Sequence, residues 1–216
     1  MTKINTAGLS EFVKREGFYK LVLLNKPSNL IFPQTELPLA VYVPYRAGKP
    51  PTECKEWLKS QGFERLTTLE RYICRGDRSL GSSADNTELP TNAITTATAD
   101  ETYAFLRQYF TWEEMDLPPR ETFEPNDTFC ARTNDGSLLG IVYNMGHTRI
   151  VATAPEARGQ GICGKLYRAF MEPAAQNGKA PTFYEWIKPD NFSSIAMFKK
   201  LGFEKDSLVT DCWVRR

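Results

Sequence analysis

Ile150-Val-Ala-Thr-Ala-Pro-Glu-Ala-Arg-Gly-Gln-Gly-Ile-Cys-Gly-Lys-Leu166 is the stretch whose reading decides the fold. A β-branched strand runs into a turn holding Gly159 and Gly161, then into a helix with Ile162, Leu166 and Phe170 on one face. Glycine lets backbone amides approach a bound group closely. The first turn of a new helix aims free N–H groups and the positive dipole end at the same spot. This geometry suits a pyrophosphate, and Arg158 adds a positive charge beside it. No Gly-Lys-Ser/Thr follows, so the turn is not a P-loop. The spacing Gly159-x-Gly161-x-x-Gly164 fits a dinucleotide fingerprint. However, it follows three antiparallel-type strands rather than the opening strand of a βαβ unit, and Arg158 precedes it.

Working outward, Ala93–Thr98 reads as a short β-type run and Ala99–Phe110 as a helix with Tyr103, Leu106 and Phe110 at helical spacing. Residues 111–125, rich in Pro and Glu, read as loop or broken helix. Strands are predicted over Thr128–Thr133 and Ser137–Met145, joined by the turn signal Asn134-Asp135-Gly136. A turn at Gly146-His147 leads to the strand Thr148–Thr153. The helix from Gly161 should end or kink at Pro173. A strand over Thr182–Lys188, a helix over Phe192–Leu201 stopped by Gly202, and one or two strands over Phe203–Val214 complete the order β-α-β-β-β-α-β-α-β.

Upstream, Arg75–Pro90 is polar and holds Gly, Ser, Asp and Pro, which reads as a linker. It divides the chain into residues 1–75, a linker at 76–92, and residues 93–216. The first part carries a strand over Leu39–Val43, a helix over Thr52–Ser60 and a strand over Leu66–Cys74. Trp57-Leu-Lys-Ser-Gln-Gly-Phe-Glu-Arg65 parallels Phe198-Lys-Lys-Leu-Gly-Phe-Glu-Lys205. This reads as a weak internal duplication, although helix-Gly-Phe-strand joins are common enough to recur by chance. The fold class expected is α/β. It has a mixed, mostly antiparallel central sheet flanked by helices, preceded by a smaller strand-helix-strand segment that looks like a degenerate half of the same fold.

Arg158-Gly-Gln-Gly-Ile-Cys163 resembles the Arg/Gln-x-x-Gly-x-Gly/Ala signature of the GCN5-related N-acetyltransferases, with Pro155 at that family's frequent upstream proline. A second block follows at suitable distance: Lys188-Pro-Asp-Asn191, then Ser194, Phe198 and Leu201-Gly-Phe203. The pattern from Ala93 to Arg216 fits that family's fold. The resemblance implies an acyl-CoA-dependent N-acyltransferase, with acetyl passing from acetyl-CoA to a primary amine by direct attack in a ternary complex. It implies that the amides of Arg158, Gly159, Gln160, Gly161, Ile162, Cys163 and Gly164 bind the coenzyme pyrophosphate. The strand around Val151, Ala152 and Thr153 would pair with the pantetheine arm and splay from Thr182–Lys188. An N–H near Val151 or Ala152 would polarise the thioester carbonyl. Asn191, Ser194 and Phe198 would line the coenzyme.

Two departures stand out. Cys163 replaces the usual Gly or Ala, and Phe198 stands where the family often has a Tyr that protonates the leaving thiolate. Ser194 and Tyr184 are therefore the candidate acids, and Glu185 is the candidate base, acting directly or through water. Glu113 and Glu114, in the loop that often shapes the acceptor site, read as solvated charges. His147, the single histidine, reads as a surface turn residue, and Cys163 as packing rather than nucleophile. Tyr143, Phe183, Tyr184 and Trp186 divide between sheet packing and an acceptor pocket. A non-catalytic coenzyme A-binding or interaction protein is the competing reading.

Composition narrows the partners. With 27 basic and 26 acidic residues the net charge is +1, so a nucleic-acid partner is not expected. No run approaches the roughly 18 to 20 apolar residues that cross a bilayer, and residues 1–9 do not resemble a secretory signal. A cytoplasmic location is expected, with a small-molecule amine as acceptor and a homodimer left open. Five cysteines, none at CxxC spacing, and one histidine argue for reduced thiols and no metal.

Overall fold

The computed structural model describes residues 9–15, 17–24, 26, 30, 32, 35–75, 94–114, 116–124, 127–146, 148–176 and 182–216. The expected linker at 76–92, Ala93 and His147 lie outside the described residues. The first part of the chain forms β1 (Leu9–Arg15), β2 (Phe18–Leu23), β3 (Leu39–Arg46), α1 (Thr52–Ser60) and β4 (Glu64–Arg75). The second forms β5 (Thr95–Thr96), α2 (Ala99–Tyr109), β6 (Thr128–Arg132), β7 (Leu138–Asn144), β8 (Arg149–Thr153), α3 (Ile162–Gln176), β9 (Thr182–Ile187), α4 (Phe192–Lys200) and β10 (Glu204–Arg215). The expected order of helices and strands in the second part holds. The β1–β2 hairpin was not anticipated. Its signal is Gly17, whose φ of +79° suits the turn, followed by Leu21 and Leu23 two residues apart on one buried face. α3 also runs past Pro173 to Gln176 instead of stopping there. A proline near a helix end removes only its own N–H from the ladder.

The strands form two sheets, β1-β2-β3-β10-β4-β9 and β5-β6-β7-β8. Among the described residues only the β2–β3 pair is parallel; the other pairs are antiparallel. β10 lies between β3 and β4, so the C-terminal strand finds both its neighbours in the first 75 residues. β4 in turn lies between β10 and β9. The centre of the larger sheet, β3-β10-β4-β9, is therefore two strand-helix-strand units that have exchanged their last strands.

The two units match in detail. A single offset of 140 residues takes Thr52–Ser60 onto Phe192–Lys200 and Glu64–Arg75 onto Glu204–Arg215. Gly62 (φ +80°) and Gly202 (φ +86°) close α1 and α4 in the left-handed region. Gly62 N–H donates to Lys59 O and Gly202 N–H to Lys199 O, each at 3.0 Å. Phe63 N–H donates to Leu58 O and Phe203 N–H to Phe198 O, again both at 3.0 Å. Each Phe then enters the core below its helix.

A buried ion pair ties the two units together. Asp211, fully buried in β10, accepts from Thr68 Oγ1 of β4 at 2.7 Å and from Tyr45 of β3 at 3.3 Å. Lys55 of α1 sits 2.6 Å from its other oxygen. Every one of these partners belongs to the first segment. α1 covers Leu39, Val41, Val43 and Trp213, while α3 and α4 cover β9 and the second sheet in one larger core. α2 opens on a capping box between Thr98 and Glu101.

Two substitutions probe this frame. Asp211→Ala should cost about 3 kcal/mol in urea unfolding, since it strands the groups gathered around a buried carboxylate. Asp211→Asn, which still accepts from Thr68, should cost less. A change below about 0.5 kcal/mol for the alanine would mean that this pair adds no more than an exposed one. Gly140 on β7 has no room for a side chain: a Cβ would lie 3.0 Å from Ile162 Cγ2 and 3.2 Å from Ala152 O. Gly140→Ala should therefore push the first turn of α3 away from β8 and cost roughly 1–3 kcal/mol. An unchanged melting temperature would show that this turn yields freely.

Candidate functional site

β8 and β9 are edge strands of different sheets and do not pair with each other. The splay implied by the family resemblance is present, and it leaves a notch between them. The register of β8 against β7 decides which backbone groups face that notch. Ala154 N–H donates to Leu139 O and Met145 N–H to Thr148 O, both at 2.9 Å. Antiparallel pairs alternate between bonded and non-bonded positions. Ile150 and Ala152 therefore bond to Tyr143 and Ile141 on β7, whereas Arg149, Val151 and Thr153 turn their N–H and C=O groups away from it. Of the two amides considered for the thioester carbonyl, Val151 faces the notch. Ala152 does not, because its N–H is used by the sheet.

The glycine-rich turn follows at the end of β8. Gly159 and Gly161 take φ of +80° and +73°, and residues 158–161 are exposed. A Cβ on Gly159 would meet nothing within 4 Å, so the reason for glycine there is the backbone angle. The first described helical bond of α3 runs from Lys165 N–H to Gly161 O. The amides of Ile162, Cys163 and Gly164 precede it and have no carbonyl four residues back within the helix. Arg158 departs from expectation: its N–H donates to Pro155 O at 3.3 Å, so only its side chain is left for an anion.

Cys163 packs as anticipated. Its thiol donates to Ala152 O at 3.2 Å and contacts the Thr153 hydroxyl. Burial pushes it up to about 11, so it stays protonated and is no nucleophile near neutrality. Across the notch, Asn191 caps α4 by accepting from Ser194 N–H at 3.2 Å. α4 then packs on α3, with Met197 3.6 Å from where a Gly164 Cβ would lie. Phe198 lies in the core rather than on the notch, edge-on to Tyr167 and Phe203 at 5.0 Å. An aromatic ring without a polar atom gains most from full burial, which draws it inward.

The candidate acid and base are not brought together. Successive strand residues alternate faces. Phe183, Glu185 and Ile187 point toward α3, while Tyr184 and Trp186 are half-buried on the other face. Glu185 is buried against Tyr167, whose hydroxyl donates to its carboxylate in a short hydrogen bond. Arg149 Nη1 lies 3.8 Å away. Burial raises the Glu185 carboxyl to about 7, against the opposing pull of Tyr167 and Arg149. The same burial, with the Glu185 charge beside it, holds the Tyr167 phenol well above its usual range. An acceptor amine in the notch therefore meets no open carboxylate at Glu185. Tyr167 escaped the sequence reading because it falls among the apolar residues of α3; the buried carboxylate opposite was its one signal.

On the face away from the helices, the segment after α2 packs over the β1–β2 end of the larger sheet. Trp112 stacks on Phe18 of β2 at 5.2 Å, and Asp116 is held by Lys20 at 2.6 Å and Arg15 at 3.1 Å. Arg71 of β4 lies 5.7 Å from the Tyr184 ring and pairs with Asp206. Glu113 pairs with the C-terminal Arg216 at 2.6 Å, and Glu114 accepts from Thr111 N–H at 2.9 Å within the loop. Tyr143 stacks on Phe123 in the core. An open hollow of about 530 Å³ between Phe32 and Arg216 contains no residue of the loop or the notch.

This geometry agrees with comparison to known proteins. Residues 98–203 match the family model described as the acetyltransferase (GNAT) family. A mycothiol acetyltransferase of Mycolicibacterium smegmatis is 29% identical over 105 residues, which is 43% of this chain and 36% of that protein. One from Mycobacterium sp. is 26% identical over 110 residues, 45% of this chain and 37% of its own. The matched region thus spans only about a third of these curated relatives. Among solved structures, a Drosophila protein superposes with a TM-score of 0.67 at 16% identity, covering 93% of this chain and 71% of its own. A tandem GNAT protein from the clavulanic acid biosynthesis pathway gives 0.56 at 15% identity, covering 82% and 63%. At these identities the likeness is one of fold. The family match, together with the loop and the splayed strands, places residues 98–203 in the GCN5-related N-acetyltransferase (GNAT) superfamily.

Proposed function

We propose that the protein transfers an acetyl group from acetyl-CoA to the nitrogen of a small primary amine. One observation carries this reading: the positive-φ glycine turn opens α3 beside a β8 edge whose Val151 amide faces an unpaired notch. The amides of Gly159 to Gly164 and the Arg158 side chain would hold the pyrophosphate. The outward groups of Val151 and Thr153 would pair with the pantetheine arm, and Asn191 and Ser194 would border it. Val151 N–H would polarise the thioester carbonyl. The amine nitrogen attacks the carbonyl carbon, the C–S bond breaks, and the proton lost by nitrogen balances the one gained by the coenzyme thiolate. Tyr184, half-buried on the face of β9 away from α3, would be the acid, and the base is water or an acceptor-side group. Residues 1–75 would form a degenerate half of the same fold that completes the acceptor wall, with 76–92 joining it to residues 93–216. A cytoplasmic location fits the sequence, and no helix among the described residues is long and apolar enough to cross a membrane. Phe198, in place of the family's tyrosine, favours a second reading as a coenzyme A-binding protein without turnover.

Melting curves with acetyl-CoA, CoA, ATP and NAD test the first step. A ligand at roughly 100 times its Kd adds about 2.7 kcal/mol of stability, several degrees in Tm. Acetyl-CoA and CoA should shift the protein; ATP and NAD should not. Gly161→Val, which forces a β-branched residue to positive φ at the loop, should abolish the shift. No shift in the parent protein at millimolar coenzyme would remove the acyltransferase reading. A shift without thiol release across an amine panel would select the non-catalytic one.

A further inference from the structure

The side chain of Arg149 crosses from β8 to β9. Its Nη1 lies 3.8 Å from Glu185 Oε1, and its guanidinium lies over the Phe183 ring at 4.9 Å and the Phe170 ring of α3 at 5.1 Å. Those two rings meet edge to face at 6.0 Å. Glu185 is held in turn by the Tyr167 hydroxyl, which donates to it. Arg149 opens β8, and Phe183 and Glu185 fall in the first half of β9, so these contacts join the starts of the two strands. The other ends lead away, β8 to the glycine turn and β9 to the Asn191 cap of α4. The Arg149 and Glu185 side chains are only 7% and 6% exposed, which leaves no opening between the strands at this end. A guanidinium gripped by two aromatic faces and a carboxylate does not yield readily.

We propose that Arg149, held by Phe170, Phe183 and Glu185, is the end wall of the notch and restricts the transferred acyl group to two or three carbons. The inference rests on the acyl-CoA reading, since it takes the thioester carbonyl to sit at the Val151 amide. Arg149 lies two residues back along β8 from that amide, about 7 Å at the rise of a strand. A van der Waals contact takes up roughly 3.5–4 Å of this, which leaves room beyond the carbonyl for a methyl or an ethyl group. A longer chain would have to lift the guanidinium off both rings and leave the buried Glu185 carboxylate without its cation.

Titration calorimetry with CoA, acetyl-CoA, propionyl-CoA and octanoyl-CoA tests the wall on the full chain. Arg149→Ala removes it. Arg149→Ala/Glu185→Gln removes it without leaving a carboxylate among apolar rings, and so serves if the single variant does not fold. In the parent, acetyl-CoA and propionyl-CoA should bind within about threefold of each other, and octanoyl-CoA about tenfold or more weaker. In either variant octanoyl-CoA should gain about tenfold relative to acetyl-CoA. That ratio is taken within one protein, so a general loss of stability does not move it. A parent that binds octanoyl-CoA as tightly as acetyl-CoA, or a ratio unchanged in the variants, would overturn the wall while CoA binding itself still stands. A parent that binds no CoA would overturn the acyl-CoA reading and the wall with it.

Discussion

Everything else in this structure depends on β10 lying between β3 and β4. A central strand must satisfy N–H and C=O groups on both edges, and here both sets of partners come from the other end of the chain. Asp211 fixes the arrangement with side chains. It is a buried carboxylate at the middle of β10, and Lys55, Tyr45 and Thr68 reach it from one helix and two strands of the first segment. An ion pair of this kind adds less stability than an apolar contact of the same size. What it adds here is discrimination, because a slip of β10 by one residue would turn the carboxylate to the opposite face.

The notch lies along the edge of β9 that this exchange leaves open. β9 would otherwise seek β10, its successor in sequence, but β4 stands between them. β9 thus has one edge filled by β4 and the other turned toward β8, which β7 already occupies on its far side. The side chains of Arg149 on β8 and Glu185 on β9 come within 3.8 Å of each other, while the strands themselves do not pair. Backbone groups left over by this parting are the resource any ligand in the notch would use. The alternation of bonds against β7 makes Val151 and Thr153 their source, while Ala152 has none to give.

Much of this was legible in the sequence, and what was not has physical reasons. The glycine turn and the α3 and α4 helices came from residues whose local demands point one way, with glycines at 159 and 161 in the turn and Gly202 stopping α4, whereas the splay came from the family resemblance. Sheet order was not legible, because nothing in β10 alone says whether its neighbours are near or distant in the chain. Side-chain direction on β9 was also out of reach. Tyr184, Glu185 and Trp186 are adjacent in sequence and equally suited to a notch. Only burial of the face toward α3 shows that Glu185 turns inward with Phe183 and Ile187 while its neighbours turn out. Arg158 failed for a third reason: the short turn at Pro155–Ala157 captures its N–H, and such local capture depends on loop geometry that the motif does not encode.

The matched units show where packing and ligand chemistry pull apart. At their C-terminal ends α1 and α4 are alike: same length, same glycine conformation, same pair of closing bonds, same buried phenylalanine. That end must hand the chain to a central strand at a fixed angle, and a left-handed glycine with a buried phenylalanine does so in either unit. At the N-terminal ends the helices differ. α1 begins after Pro51 with no side-chain cap, whereas Asn191 caps α4 and sits on the side of the notch. An uncapped start costs about 1 kcal/mol relative to asparagine, a tolerable loss where the helix is held by Cys54 and Leu58 in the core. The likeness therefore follows the sheet, and the difference falls where only the second unit turns toward the strand edge of β8.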